Sequence, residues 1–341
     1  MRLPGKASIP RLEAALASQL HGSPLLEWAE HITLEVTRKA GQSKPPIEMN
    51  KRLLNSRRIT SVEYVDVLPE RARLEVRRDA FAVQMDARFS RNLPWRRFLL
   101  SHELAHTLFY EIDSEPIASR VFLRPGNAEL EWLCSYLAKC LLMPIDALRE
   151  TWLSEFLDKT KADISVLFGL SERFGLPWSV VAERLVEDTG LWNVILLHWQ
   201  QEPSPSQNWR LVWHVSPAHV PPGLFIPIGR RQPSGEMHYP RAKGQLAKML
   251  DQLASSEESG QRVLSVAELT VGNLHKMMSE GRDNRDAVDW VLVGRDDNGR
   301  FEWAQRPVGA SILIRVKLDE STSRSAQGAT VYGQLPPTEV P

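Results

Sequence analysis

Residues 101–110 read SHELAHTLFY, in which His102 and His106 stand four apart and Glu103 directly follows the first. On an α-helix a spacing of four sets two side chains about 40° apart around the axis and about 6 Å apart along it. Both imidazoles then reach one cation at about 2.0–2.1 Å. Glu103 is turned by about 100°, so it misses the ion but reaches a water held there. Metal-assisted hydrolysis needs this set: an ion that polarises a carbonyl and acidifies water, and a carboxylate that takes the proton.

The competing reading is two ordinary helix histidines, since the chain has nine His. The flanks argue for the metal. Phe98, Leu99, Leu100, Leu104, Leu108 and Phe109 are apolar, so the helix is expected to be buried, and two buried histidines plus a buried glutamate need partners. Ala105, small and between the histidines, permits close approach of a neighbouring element. A catalytic zinc takes a third protein ligand and leaves its fourth position open. The downstream candidates are Glu111, Asp113, Glu115, Glu129 and Glu131. Glu131 fits best, because it opens EWLCSYLAKCLLMP, where Leu133, Leu137, Leu141 and Leu142 mark a core helix. Glu129 is the alternative, read as an exposed first-turn charge.

The elements that must position these residues are legible in outline. Residues 10–40 show helical periodicity, with Leu12, Ala15, Leu16 and Leu20 on one face, then Leu26, Ala29, Ile32 and Val36. GQSKPP (41–46) interrupts, and a short helix over Ile47–Ser56 follows. Three strand-like runs come next, 61–68, 72–77 and 80–86, the last two joined as a hairpin. The third, AFAVQMD, is either a sheet edge on which a peptide aligns or a plain core strand. Asn92 caps a helix over about 94–110 that carries HELAH, with Pro94 in its first turn. A second helix runs from Ala128 to Leu142 and stops at Pro144. Residues 145–190 read as helical, and 171–185 has a helix-turn-helix pattern with Gly175 at the turn. Glu172, Arg173, Glu183, Arg184, Glu187 and Asp188 give that segment no positive excess, so direct nucleic-acid binding is not expected.

From Leu191 the pattern changes to strands at 192–199, 209–215 and 311–318, a helix at 244–256, and a hairpin across Asp297-Asn298-Gly299. NLHKMMSEGR reads as helix core. His198, His214, His219, His238 and His275 lack ligand spacing. The segment after Leu318, rich in Ser, Thr, Gly and Pro, is expected to be disordered. The 341 residues carry 42 basic and 42 acidic side chains, so no net charge advertises a nucleic-acid partner. No run is long enough for a membrane span or a signal peptide. Cys134 and Cys140 sit six apart in one helix and do not face each other; a cytoplasmic setting is expected.

FLLSHELAHTLFYE followed by ELEWLCSYLAKCLLMP resembles the ImmA/IrrE family of zinc metallopeptidases. The family pattern is carried by Arg97-Phe98, His102–His106, Glu131, Cys134-Ser135, Ala138 and Leu141–Pro144. The strand AFAVQMD and the helix in PPIEMNKRLL (45–54) look like family elements too, so the resemblance spans roughly 40–190. It implies Zn2+ held by His102, His106 and Glu131, with Glu103 as general base. Two positions depart from the pattern. Ser135 stands where Asn is usual, and Tyr110 stands where a His often follows, so the oxyanion stabiliser is either Tyr110 or unassigned, with core packing the other role for Tyr110.

The resemblance also implies an α+β chain in parts: a helical zincin-like peptidase domain with a small sheet (1–155), a helical helix-turn-helix-like linker (156–190), a C-terminal α/β domain of GAF or PAS type (191–318), and a tail (319–341). The expected function is a cytoplasmic zinc endopeptidase that cleaves a helix-turn-helix repressor and so switches on genes. A small-molecule or protein signal would act at the C-terminal domain, with no membrane partner. The alternative is a non-proteolytic partner-binding protein with a structural or vestigial metal site, which a fourth protein ligand would favour.

Overall fold

The computed structural model describes residues 8–20, 22–119, 127–155, 164–201, 208–217, 230–231, 237–242, 244–255, 264–270, 288–293 and 311–317. The chain divides into two compact units, Met1–Arg184 and Leu185–Pro341. Among the described residues no helix is long and apolar enough to cross a membrane.

The first unit opens with helices α1 (Ser8–Ala15), α2 (Ala17–Leu20) and α3 (Leu25–Lys39). The single periodic run expected over 10–40 is therefore broken, with Gly22 at φ +83° in the connection between α2 and α3. Leu12, Leu16 and Leu20 are buried as expected. In α3 the buried stripe is Leu25, Ala29, Thr33 and Val36, one position off the Leu26 and Ile32 of the sequence reading. Two threonines share that face because each hydroxyl donates back to its own helix, Thr33 to the Ala29 carbonyl and Thr37 to the Leu34 carbonyl. Helix α4 (Lys51–Asn55) is shorter than the expected 47–56, because Asn50 accepts from the Leu53 amide and caps it there.

Strands β1 (Ile59–Val65), β2 (Ala72–Val76) and β3 (Phe81–Asp86) form a sheet in the order β1-β3-β2. β2 and β3 make the hairpin, closed by the Arg77 amide on the Ala80 carbonyl at 2.9 Å. β1 runs parallel to β3. The edge reading of AFAVQMD is thereby corrected: β3 is the central strand, with Phe81, Ala82, Val83 and Met85 all at 0% exposure. A strand buried on both faces loses the period-two alternation that separates edge from centre. The edges are β1 and β2.

Helix α5 (Leu93–His106) carries the histidines and α6 (Ala128–Leu142) carries Glu131. Asn92 accepts from the Trp95 amide at the start of α5, and Asn127 accepts from the Glu129 amide at the start of α6. α6 is buried nearly all round, as a helix apolar on every face must be. It packs against both α5 and α3, and α5 also rests on β2. A short 3-10 turn (Thr107–Phe109) ends α5, then β4 (Tyr110–Glu111) pairs with β5 (Ala118–Ser119).

Helices α7 (Ile145–Glu155), α8 (Ser165–Phe174) and α9 (Trp178–Glu183) complete the unit, and a π-helical turn covers Arg184–Asp188. α8 ends at Gly175, φ +61°, with the Leu176 amide on the Ser171 carbonyl, a left-handed cap that favours glycine. The buried Arg97 of α5 reaches this cap: its Nη1 donates to the Gly175 carbonyl at 3.2 Å and its Nη2 to the Ile47 carbonyl at 2.6 Å. Lys139 of α6 pairs with Glu183 of α9 at 3.5 Å. Arg184, at 0% exposure, bonds Glu30 of α3 and lies over the Tyr136 ring at 5.4 Å.

The second unit holds β6 (Val194–Gln201), β7 (Trp209–Val215), β8 (Arg230–Arg231), β9 (Met237–Ala242), α10 (Gly244–Ser255), β10 (Leu264–Thr270), β11 (Val288–Val293) and β12 (Ser311–Lys317). The sheet order is β10-β12-β6-β7-β9-β11, mixed in direction because β10 runs parallel to β12. β6, β7, β12 and α10 match the expected elements within two residues, whereas β9 and β10 were not read from the sequence. The Asp297-Asn298-Gly299 hairpin, the NLHKMMSEGR helix and the tail after Leu318 lie outside the described residues. Trp209 Nε1 donates to Asp251 of α10 at 2.8 Å, pinning helix to sheet.

Two measurements check this packing. A Cβ on residue 175 would meet Arg97 Nη1 at 1.8 Å, and alanine is strained at positive φ. Gly175→Ala therefore lowers stability by about 1–3 kcal/mol; an unchanged urea midpoint would refute the Arg97 clamp. In β6, burial holds the His198 pKa down from 6.5 to about 4. Above pH 6.5 the ring is neutral folded or unfolded. Below it the unfolded chain takes a proton that the folded ring refuses, so stability falls between pH 6.5 and 4. His198 keeps some exposure, so the loss is on the order of 2 kcal/mol, and His198→Gln removes this part of the pH dependence in unfolding measured across that window.

Candidate metal centre

The crossing of α5 and α6 is close because small residues meet there. Ser101, Ala105 and Ala138 are at 0–1% exposure, and Ser101 Oγ donates to the Ala138 carbonyl at 3.4 Å. This brings the second turn of α6 opposite the last turn of α5. His102 Nε2 lies 3.1 Å from Glu131 Oε2 and 3.2 Å from His106 Nε2, and His106 Nε2 lies 3.6 Å from Glu131 Oε2. Among the described residues, these three side chains are the group whose donor atoms converge as metal ligands do.

The spacing tests the fit to zinc. Tetrahedral bonds of about 2.0–2.2 Å place ligand atoms about 3.3 Å apart, and the three separations bracket that value. Two imidazole nitrogens and a carboxylate are also the donor set zinc favours. Hydrogen bonds from His102 and then His106 hold the Glu131 carboxyl well below the usual carboxylate range. With each ring neutral and its hydrogen on Nδ1, the cluster offers one negative charge and two Nε2 lone pairs, and it can hold one divalent cation.

The far nitrogens of both rings are engaged by α6. Ser135 Oγ lies 3.2 Å from His102 Nδ1, and Cys134 Sγ lies 3.3 Å from His106 Nδ1. Glu103, one residue beyond His102, is 4% exposed. Burial pushes its carboxyl up, the neighbouring histidines pull it down, and the Leu74 amide of β2 donates a hydrogen bond to it. Just past His106, Arg57 anchors the end of α5, with Nε on Thr107 Oγ1 at 3.0 Å and Nη2 on the Thr107 carbonyl at 2.6 Å.

Of the other residues weighed as ligands, Glu111, Asp113 and Glu115 are exposed beyond α5, and Glu129 is half-buried in the first turn of α6; none joins the cluster. Tyr110 is half-buried and its ring packs edge-on against Phe81 at 5.3 Å. It lines a groove of about 880 Å³ with Trp28, Ile32 and Arg57. Sequence reasoning missed three contributors: the thiol of Cys134 at His106, the Leu74 amide at Glu103, and Arg57. The i, i+3, i+4 spacing of Glu131, Cys134 and Ser135 signals that all three share one helical face, but no pattern marks a backbone amide or a distant arginine.

These separations set an expected result. If the three atoms share one cation, Glu131→Ala weakens Zn2+ binding by at least about 100-fold in a competitive chelator titration; parity with the unaltered chain would remove Glu131 from the ligand set.

Residues 90–186 match the family model described as IrrE N-terminal-like domain (Peptidase_M78). The match runs from the turn before α5 to the π-helical turn. No curated protein matches the chain. Among solved structures, a Mycobacterium tuberculosis transcriptional regulator is similar at 16% identity and a TM-score of 0.37, over 69% of this chain and 86% of that one. A likeness that loose carries no argument about function. The two helices that bring His102, His106 and Glu131 together thus lie within the stretch that matches the IrrE N-terminal-like domain.

Proposed function

We propose that the chain is a zinc-dependent endopeptidase acting on a protein substrate, in keeping with the M78 match at 90–186. The observation that carries this reading is the three-donor set. A structural zinc takes four protein ligands, whereas a catalytic one keeps a position open, and among the described residues only His102, His106 and Glu131 converge. Cys134 lies on the Nδ1 side of His106, away from the Nε2 that faces the cluster.

Zinc bound there supplies Lewis acidity, polarising a peptide carbonyl and easing the ionisation of water. Glu103 takes a proton from the water as its oxygen attacks the carbonyl carbon. It then returns that proton to the leaving nitrogen as the C–N bond breaks. Burial of Glu103, which raises its carboxyl, favours a base that also serves as an acid. Tyr110 is the sequence's candidate for steadying the oxyanion, and its ring packs edge-on against Phe81. A substrate aligned as an added strand is assigned to β2, the edge that packs on α5 and whose Leu74 amide touches Glu103.

The substrate is proposed to be a helix-turn-helix repressor, following the resemblance, and the setting cytoplasmic, in line with Cys134 and Cys140 standing as thiols outside any disulfide. The sheet and helix of the second unit are assigned a GAF- or PAS-like sensing role. Glu103→Gln tests the core of the reading. It retains zinc, measured by metal analysis, and loses cleavage by about 100-fold or more. Full activity in Glu103→Gln would eliminate the base; activity in a zinc-stripped chain would eliminate the metallopeptidase.

A further inference from the structure

We infer that Cys134 is a positioning residue for the metal centre, its sulfur accepting the Nδ1 hydrogen of His106 and so aiming Nε2 at the cation. The inference rests on the zinc reading and deepens it. Its basis is a contact of 3.3 Å between Sγ and Nδ1, made by a thiol at 0% exposure. A neutral imidazole carries one N–H, and a ring whose Nδ1 holds that hydrogen presents the Nε2 lone pair. The Nε2 of His106 is the atom that faces His102 Nε2 and Glu131 Oε2.

The arrangement is repeated one residue along. Ser135 Oγ stands 3.2 Å from Nδ1 of His102. Glu131, Cys134 and Ser135 therefore form one helical face that supplies a ligand and the holders of both other ligands. A packing role alone would not place the sulfur at the ring nitrogen; a methyl group fills space there without accepting a hydrogen. Both holders are neutral. A carboxylate behind a ligating imidazole adds negative charge and basicity, whereas a hydroxyl and a thiol fix the ring without adding charge. The face thus orients both rings and leaves Glu131 as the anionic member of the centre.

The test uses the full chain with Cys134→Ala and Cys134→Ser. Zinc affinity is read by competition with a chromophoric chelator, and the His106 Nδ1–H resonance is followed by 15N-edited NMR in the zinc-loaded state. Thermal unfolding of the metal-free proteins checks that each variant folds. The expected result is an affinity about 10–100-fold weaker for Cys134→Ala, with the Nδ1–H signal broadened by faster exchange. Cys134→Ser, which keeps an acceptor, recovers most of the loss. Equal affinities for parent and Cys134→Ala, with an unchanged Nδ1–H signal, would overturn the inference while leaving the zinc reading intact. A parent chain that binds no zinc would overturn both. If Cys134→Ala does not fold, the parent resonance decides: a protected Nδ1–H with an NOE to the Cys134 β-hydrogens supports the inference, and a rapidly exchanging one sinks it.

Discussion

The close crossing of α5 and α6 is the contact on which the rest of the first unit depends. Neither helix holds a complete donor set. α5 brings two imidazoles on successive turns and α6 brings a carboxylate, and the three atoms fall within bonding reach of one point only because Ser101, Ala105 and Ala138 let the axes come together. A larger side chain at Ser101 or Ala138 would push the two helices apart. The leucines of α6 contribute the driving force, at about 1.5–3 kcal/mol for each side chain fully buried. The small residues decide where that force draws the helices.

Around this crossing the unit spends buried charge on holding ends in place. Arg97 links α5 to the Ile47 carbonyl and to the cap of α8. Arg57 closes the C-terminal end of α5. Lys139 and Arg184 tie α6 and α3 to α9. The buried Arg97, Lys139 and Arg184 would each be costly alone and are tolerated because carbonyls or carboxylates meet them. Such contacts are directional, unlike apolar packing, so they fix the azimuth of a helix as well as its position. A donor cluster assembled from two helices needs that, since a rotation of either helix would turn a donor atom away.

The parts of this arrangement that follow local rules were legible in the sequence. Asn92 and Asn127 mark helix starts, Pro144 marks a stop, and the spacing within HELAH and from Glu131 to Ser135 marks single faces. Glu131 is preferred to Glu129 for the core-helix pattern it opens, and the cluster includes Glu131, although both side chains are half-buried. What the sequence withheld was long-range. β3 reads as a strand but not as a central one, since its burial on both faces erases alternation. The break between α2 and α3 hid behind continuous periodicity. Nothing local announces that Arg57 meets Thr107 or that Leu74 meets Glu103, because these pairs are 50 and 29 residues apart and are made by the fold.

The recognisable stretch and the self-sufficient one are different lengths of chain. Residues 90–186 carry the family pattern, yet Glu30, Ile47, Arg57 and Leu74, all upstream, neutralise Arg184, satisfy Arg97, tether Thr107 and hydrogen-bond Glu103. An excised 90–186 fragment would expose the side of α6 that α3 covers and take the Ile47 carbonyl from Arg97 and the Glu30 carboxylate from Arg184. The family match marks the two donor-bearing helices; the frame that keeps them in register begins about eighty residues earlier.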